Sequence, residues 1–229
     1  MKFLVVATKP WNRRSYTKMI RHHPGTTWML IDSEEGFVPA KVRAFSPRFI
    51  FFLHWSWIVP KEIVNEFECV CFHMTDVPYG RGGSPLQNLI SRGYRSTKLT
   101  ALRMTEEVDA GPVYLKEDLS LEGSAEEVYI RASELAWRMV KRIIDEQLVP
   151  QPQTGTPTIF KRRQPSESEV PRCEDLLGLH DFIRMLDADG YPKAFLRRGG
   201  FRYEFSRAAR YDGRIVADVI ITREGEPST

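Results

Sequence analysis

The stretch Pro60 to His73, PKEIVNEFECVCFH, decides the fold. Apolar residues recur at helical spacing from Pro60 to Phe67, and the apolar run Cys69 to Phe72 behind them is short enough for a central strand. The same alternation continues toward the N-terminus. Lys2 to Thr8 (KFLVVAT), Trp28 to Ile31 and Phe49 to Leu53 read as buried strands, with one helix over Arg14 to Arg21 and a second opening at Pro39. Strands and helices in alternation predict an α/β fold around a parallel sheet. His73 then stands at the carboxyl end of a central strand, where open α/β sheets bind their ligands.

Toward the C-terminus, a glycine-rich loop leads into a helix that opens at Pro85 and stops at Gly93. Thr97 to Met104 and Val113 to Leu121 read as strands. Ser124 with Glu127 forms a capping box for the longest helix, which runs to about Gln147. Prolines at 150, 152, 157, 165 and 171 mark residues 150–172 as a surface linker. From 173 to 229 an amphipathic helix (Leu176, Leu179, Phe182, Ile183, Leu186) precedes strands punctuated by Gly190, Gly199-Gly200 and Asp212-Gly213. The expected organisation is a catalytic domain over 1–149, the linker, and a short α+β extension too small to stand alone.

At 229 residues, 42% hydrophobic and 28% charged, the composition is that of an ordinary globular protein. No apolar run approaches the roughly 20 residues of a membrane span, and the opening MKFLVVATKPWNRR is too short in its apolar part for a signal peptide. A cytoplasmic location with no membrane partner is expected. Three cysteines argue for neither a disulfide framework nor a metal site. A net charge of +3 gives no ground for a nucleic-acid partner, although Lys161-Arg162-Arg163 and Arg197-Arg198 can meet phosphate as readily as they can be solvated faces. A sheet edge or the C-terminal extension can support a homodimer, or can be covered within one chain.

His73 and Asp109 form a candidate proton-handling pair, since a carboxylate beside an imidazole raises its basicity and orients its ring. A structural hydrogen bond between a buried His and Asp has the same signature. The intervening Gly80-Arg81-Gly82-Gly83-Ser84-Pro85 can bring backbone N–H groups to an anion or planar ligand, with Arg81 adding a charge-assisted bond, or can be a turn whose glycines only satisfy geometry. No Walker lysine or G-x-G-x-x-G follows the first strand, which disfavours nucleotide hydrolysis and dinucleotide binding. Trp55 and Trp57 either line a pocket or pack in the core, and Gln87 and Asn88, at the start of a helix, are minor candidates for reading polar ligand atoms.

Together these residues resemble the 10-formyltetrahydrofolate-dependent formyltransferases, the methionyl-tRNA formyltransferase-like family. Its strand ends in Asn-x-His, with a proline five residues later, then Arg-Gly-x-x-Pro and a later Asp-x-Gly. Here His73, Pro78, Arg81 to Pro85 and Asp109-Ala110-Gly111 fall in register. The resemblance extends more weakly through Phe160 to Pro165 and into the C-terminal segment. The phrases HWSWIVPKEI and FHMTDVPYGRGGSPLQNLI look closest to the bacterial amino-sugar N-formyltransferases, including those of the pseudaminic acid type.

The resemblance implies a Rossmann-like catalytic domain, 10-formyltetrahydrofolate as formyl donor, no metal, and a small amino-sugar acceptor whose amine attacks the formyl carbon through a tetrahedral intermediate. It assigns proton transfer and oxyanion stabilisation to His73 and Asp109, donor binding to Arg81, Gly82, Gly83, Val108 and Asp109, and acceptor binding to Thr75, Ser84 and Trp55. One departure stands out: the family asparagine is Cys71 here, and a thiol is a poor donor. Losing an oxyanion donor typically costs about 100- to 1000-fold in rate. His54 is the candidate replacement, because it ends the run that should lie beside the Cys71 strand; Ser56 and Thr75 are others. The departure also leaves open a formyl-folate hydrolase, an acyl transferase with another donor, and a non-catalytic folate or sugar-nucleotide binding module.

Overall fold

Every strand of the first half is apolar on both faces or nearly so, which suits a sheet covered by helices on each side. The computed structural model describes residues 1–19 and 24–225. In chain order they form β1 (Lys2–Val6), α1 (Pro10–Met19), β2 (Thr27–Ile31), α2 (Pro39–Phe45), β3 (Phe49–Phe52), α3 (Lys61–Glu66), β4 (Glu68–His73), β5 (Arg81–Gly82), α4 (Pro85–Ile90), β6 (Ser96–Arg103), β7 (Val113–Ser120), α5 (Ala125–Asp145), β8 (Ile159–Phe160), α6 (Leu176–Arg184), β9 (Ala194–Arg198), β10 (Phe201–Tyr211) and β11 (Arg214–Arg223). These make two units: Met1–Gly82 with Thr97–Leu119 and Tyr129–Ile159, and Gly83–Ser96 with Ser120–Val128 and Phe160 onward.

The first unit is the expected Rossmann-like α/β fold. Its sheet has the order β2-β1-β3-β4-β6-β7. The first four strands are parallel, with Val6 opposite both Ile31 and Phe52, and Phe52 opposite Cys71. The expectation of a parallel sheet fails at β6, which runs antiparallel to β4 with Thr100 opposite His73. A parallel partner needs a crossover that carries the chain back along the sheet. Here the chain re-enters at the end where β4 finishes. Leu4, Val6, Ile50, Phe52 and Cys69 share one face and pack with Val42 of α2 and Ile63 and Val64 of α3, each buried side chain contributing about 1.5–3 kcal/mol.

α1 starts at Pro10, earlier than expected, because proline suits a first turn and the Lys9 carbonyl accepts from the N–H groups of Asn12 and Arg13. The end of that expected helix, at Arg21, lies outside the described residues. The capping box of α5 is present: the Ser124 N–H donates to Glu127 Oε2 at 2.7 Å, and the Glu127 N–H to Ser124 Oγ at 3.3 Å. In the proline-rich stretch after α5, Gln151 exchanges two main-chain hydrogen bonds with Val113, at 2.7 and 2.8 Å. Proline there removes donors without preventing pairing at the residues between.

In the second unit β9, β10 and β11 form an antiparallel sheet on which α6 packs through β10. Asp175 caps α6, accepting from the Gly178 N–H at 2.7 Å. Asp181 accepts from both arms of Arg95 at 2.8 and 2.9 Å and from Arg184 Nε at 2.6 Å. Arg184, only 4% exposed, also donates to the carbonyls of Leu121 and Gly123. Among the described residues no helix is long and apolar enough to cross a membrane.

Candidate active site

His73 closes β4 and shares a face with Cys71 and Cys69, since side chains two apart on a strand point the same way. Its side chain is 9% exposed. Nε2 lies 2.7 Å from the Gly80 carbonyl oxygen, and because a carbonyl can only accept, that nitrogen carries a hydrogen. Nδ1 is left facing Asp109 Oδ2 at 3.4 Å. The dyad can thus hold a shared proton between Nδ1 and the carboxylate.

Asp109 is fixed from both ends. Its Oδ2 accepts from the Gly82 N–H at 2.9 Å, and its carbonyl accepts from Gln153 Nε2 at 2.8 Å. Its backbone is left-handed, φ 53°, a conformation that aspartate tolerates better than most residues. Gly111 has a different reason to be glycine: a Cβ there would stand 1.8 Å from the Arg103 carbonyl oxygen. The Asp-x-Gly motif therefore combines a left-handed acid with a close backbone approach.

The glycine-rich loop is held by the stretch that read as a linker. The Thr158 carbonyl accepts from the N–H groups of Gly80 and Arg81, both at 3.0 Å. Arg81 donates to Gln153 Oε1 from Nε at 3.1 Å and Nη2 at 2.9 Å, and pairs with Glu107 at 3.3 Å. Neither Gln153 nor Thr158 was legible in the sequence: prolines and polar residues spaced as in any surface segment carry no sign of what they bond. Val108, beside Asp109, is 64% exposed.

His73, Asp109, Arg81 and Gly82 are thus brought together, with Val108 adjacent in the chain. Other expected site residues have different surroundings. Thr75 is fully buried, and its hydroxyl donates to the Gly80 carbonyl at 3.3 Å, so it supports the oxygen that His73 contacts instead of facing an acceptor. Gly83 and Ser84 belong to the second unit: a Cβ on Gly83 would fall 2.4 Å from Arg162 Cβ, and Ser84 Oγ accepts from the Arg163 N–H at 3.0 Å. There too Gln87 donates to the Met185 carbonyl and Asn88 to those of Gly83, Ser84 and Lys161.

Trp55 packs against Phe37, Phe52 and Trp57, with ring centroids 5.7, 6.1 and 4.7 Å away, on the side of the sheet that carries Cys71. His54 does not take the place expected of it. Its left-handed backbone, φ 56°, turns the chain out of strand register, and its ring sits edge-on to Tyr129 at 4.5 Å and Trp11 at 5.9 Å, residues outside the cluster around Cys71. Burial, helped by Lys9, lowers its pKa to about 3, which keeps the ring neutral. The Cys71 thiol is pushed well above the ordinary range by burial first and by the nearby Asp109 carboxylate second, so it stays protonated beside the dyad.

Residues 165–222 match the family described as methionyl-tRNA formyltransferase, C-terminal domain. A solved structure of a methionyl-tRNA formyltransferase from Clostridium thermocellum is 44% identical and superposes with a TM-score of 0.95, covering 97% of this chain and 99% of the other. The methionyl-tRNA formyltransferase of Campylobacter curvus is 31% identical over 170 residues, 72% of this chain and 56% of that protein. This chain spans about half the length of the curated relatives it matches. HypX from Aquifex aeolicus, solved with tetrahydrofolic acid, shares the fold at 18% identity and a TM-score of 0.73, over 91% of this chain and 38% of its own. The resemblance to amino-sugar enzymes in HWSWIVPKEI and FHMTDVPYGRGGSPLQNLI is corrected by these relatives, which carry a different name. The quoted phrases are short and centre on the His73 and glycine-rich loop positions, whereas the match to the methionyl-tRNA enzymes runs along nearly the whole chain. With 44% identity along nearly its whole length, the chain belongs to the methionyl-tRNA formyltransferase family.

Proposed function

We propose that this protein transfers the formyl group of 10-formyltetrahydrofolate to a primary amine, and that the amine is that of methionyl-tRNA, the acceptor for which its relatives are named. The observation that carries the reading is the buried His73–Asp109 dyad, with Nδ1 and Oδ2 3.4 Å apart at the end of a central strand. The donor set fits a folate. An exposed apolar side chain at Val108, a carboxylate at Asp109 and the Arg81 guanidinium suit the flat, amide-bearing ring and anionic tail of that group. When bound, the donor supplies an activated formyl carbon and a nitrogen leaving group.

Attack requires a neutral amine, so a proton must leave the acceptor nitrogen. His73 holds one hydrogen on Gly80 and presents Nδ1 to Asp109, which lets the pair take that proton and return it to the departing nitrogen. Cys71 takes no nucleophilic part, because its thiol is held neutral. We place the protein in the cytoplasm, on account of its three free cysteines.

The test is release of tetrahydrofolate by the purified protein, followed by absorbance, with methionyl-tRNA in one arm, a panel of amino sugars in another and no acceptor in a third. Turnover confined to the first arm and abolished in His73→Ala supports the reading. Turnover with amino sugars would reassign the acceptor, release without acceptor would make the protein a formyl-folate hydrolase, and silence in all arms would leave a binding module.

A further inference from the structure

We infer that Gln153 is a positioning residue for the dyad, which rests on the formyl-transfer reading and deepens it. Its side-chain amide is used at both ends. Nε2 donates to the carbonyls of Asp109 and Gly111, both at 2.8 Å, and Oε1 accepts from Arg81 Nε and Nη2 at 3.1 and 2.9 Å. One amide therefore ties the turn that carries the acid of the dyad to the guanidinium of the glycine-rich loop.

The tie matters because Asp109 adopts a left-handed backbone in a tight turn, which the Ala110 N–H closes on the Glu107 carbonyl at 3.4 Å, and the orientation of its peptide sets where its carboxylate meets His73. Rotating the Asp109 peptide would swing Oδ2 away from both Nδ1 of His73 and the Gly82 N–H. Gln153 holds the carbonyl that such a rotation would displace. The segment bearing it is anchored on either side, by the paired main chains of Gln151 and Val113 and by Thr158, whose N–H donates to the Pro78 carbonyl. Gln153 touches none of the groups that handle the proton; it acts through Asp109 and Arg81.

Two variants separate its ends. Gln153→Glu keeps an acceptor for Arg81 and loses the amide donors to Asp109 and Gly111; Gln153→Ala loses both. The expected outcome is a kcat lowered on the order of tenfold in each, the size of one to two lost hydrogen bonds, with KM for 10-formyltetrahydrofolate raised only in Gln153→Ala. A second readout needs no turnover. Amide exchange at Gly82, whose N–H rests on Asp109 Oδ2, should accelerate about tenfold in both variants, while Gly80 and Arg81, bonded to Thr158, keep wild-type protection. Wild-type kcat, or wild-type protection at Gly82, in a folded Gln153→Glu protein overturns the inference. If the wild-type enzyme forms no product with any acceptor, it is the formyl-transfer reading that fails, and Gly82 exchange alone decides the role of Gln153.

Discussion

Replacing Asp109 by Asn tests the proton-transfer argument at its weakest link, the charge opposite His73. Asn is the informative choice because it tolerates the left-handed backbone at this position, and its side-chain carbonyl can keep the hydrogen bond from the Gly82 N–H. What disappears is the negative charge 3.4 Å from Nδ1. At that distance and an effective dielectric constant of about 20, an imidazolium and a carboxylate attract by about 5 kcal/mol. Full loss of that attraction in the transition state would lower the rate between about 10³- and 10⁴-fold, which overlaps the 10²- to 10⁴-fold typical of general acid–base catalysis. We expect kcat to fall on the order of 10³-fold while the melting temperature moves by no more than about 3 °C, since the Gly82 bond survives. Tetrahydrofolate release under saturating donor and acceptor measures the first, and thermal unfolding the second. A folded Asp109→Asn protein within about tenfold of wild-type kcat would refute the dyad and reduce Asp109 to a loop anchor.

Gly111→Ala should cost about 2–3 kcal/mol of stability, because its Cβ would enter the space of the Arg103 carbonyl and the loop must move; an unchanged urea midpoint would show that the approach is not tight. Asp181→Asn should cost about 3–5 kcal/mol by leaving Arg184 buried without its carboxylate. Burial pushes the Asp181 pKa up, but the hydrogen bonds from Arg95 and Arg184 outweigh it and hold the carboxyl below its ordinary value. Its folded pKa is thus the lower one: the stabilisation is complete above about pH 4 and lost as the pH falls through the folded value, an acid limb that Asp181→Asn should lack in unfolding curves from pH 5 to pH 2. His54 has the same sign for a different reason. Burial lowers its folded pKa to about 3, against about 6.5 unfolded, so the unfolded chain takes up the proton first and stability declines as the pH falls from 6.5 toward 3. Between pH 8 and pH 5 the loss should be about 1–2 kcal/mol, and His54→Phe, which keeps the aromatic packing, should remove it; a loss that persists in His54→Phe would assign it to other groups.

The amino-acid sequence by itself made most strands and helices of the first unit legible, and it singled out His73 and Asp109 as candidates. Short β-branched and aromatic runs such as KFLVV and FIFF read as buried strands, the Ser124–Glu127 spacing caps α5 locally, and the family motif pointed to His73 and Asp109 as partners across 36 positions. These features are local in the chain or carried by a motif, so they can be read without coordinates. Tertiary structure decided the rest. The antiparallel entry of β6 depends on which end of the sheet the chain returns to, and no residue of β6 encodes that. His54 lies at the predicted end of a strand, yet one left-handed residue sends its ring to Trp11 and Tyr129. Gln153 sits in a proline-rich stretch whose composition announces a linker, and its amide nonetheless ties Asp109, Gly111 and Arg81 together. Hydrogen bonds between residues more than 40 positions apart are set by where the backbone passes in space, and side-chain identity alone does not specify that path.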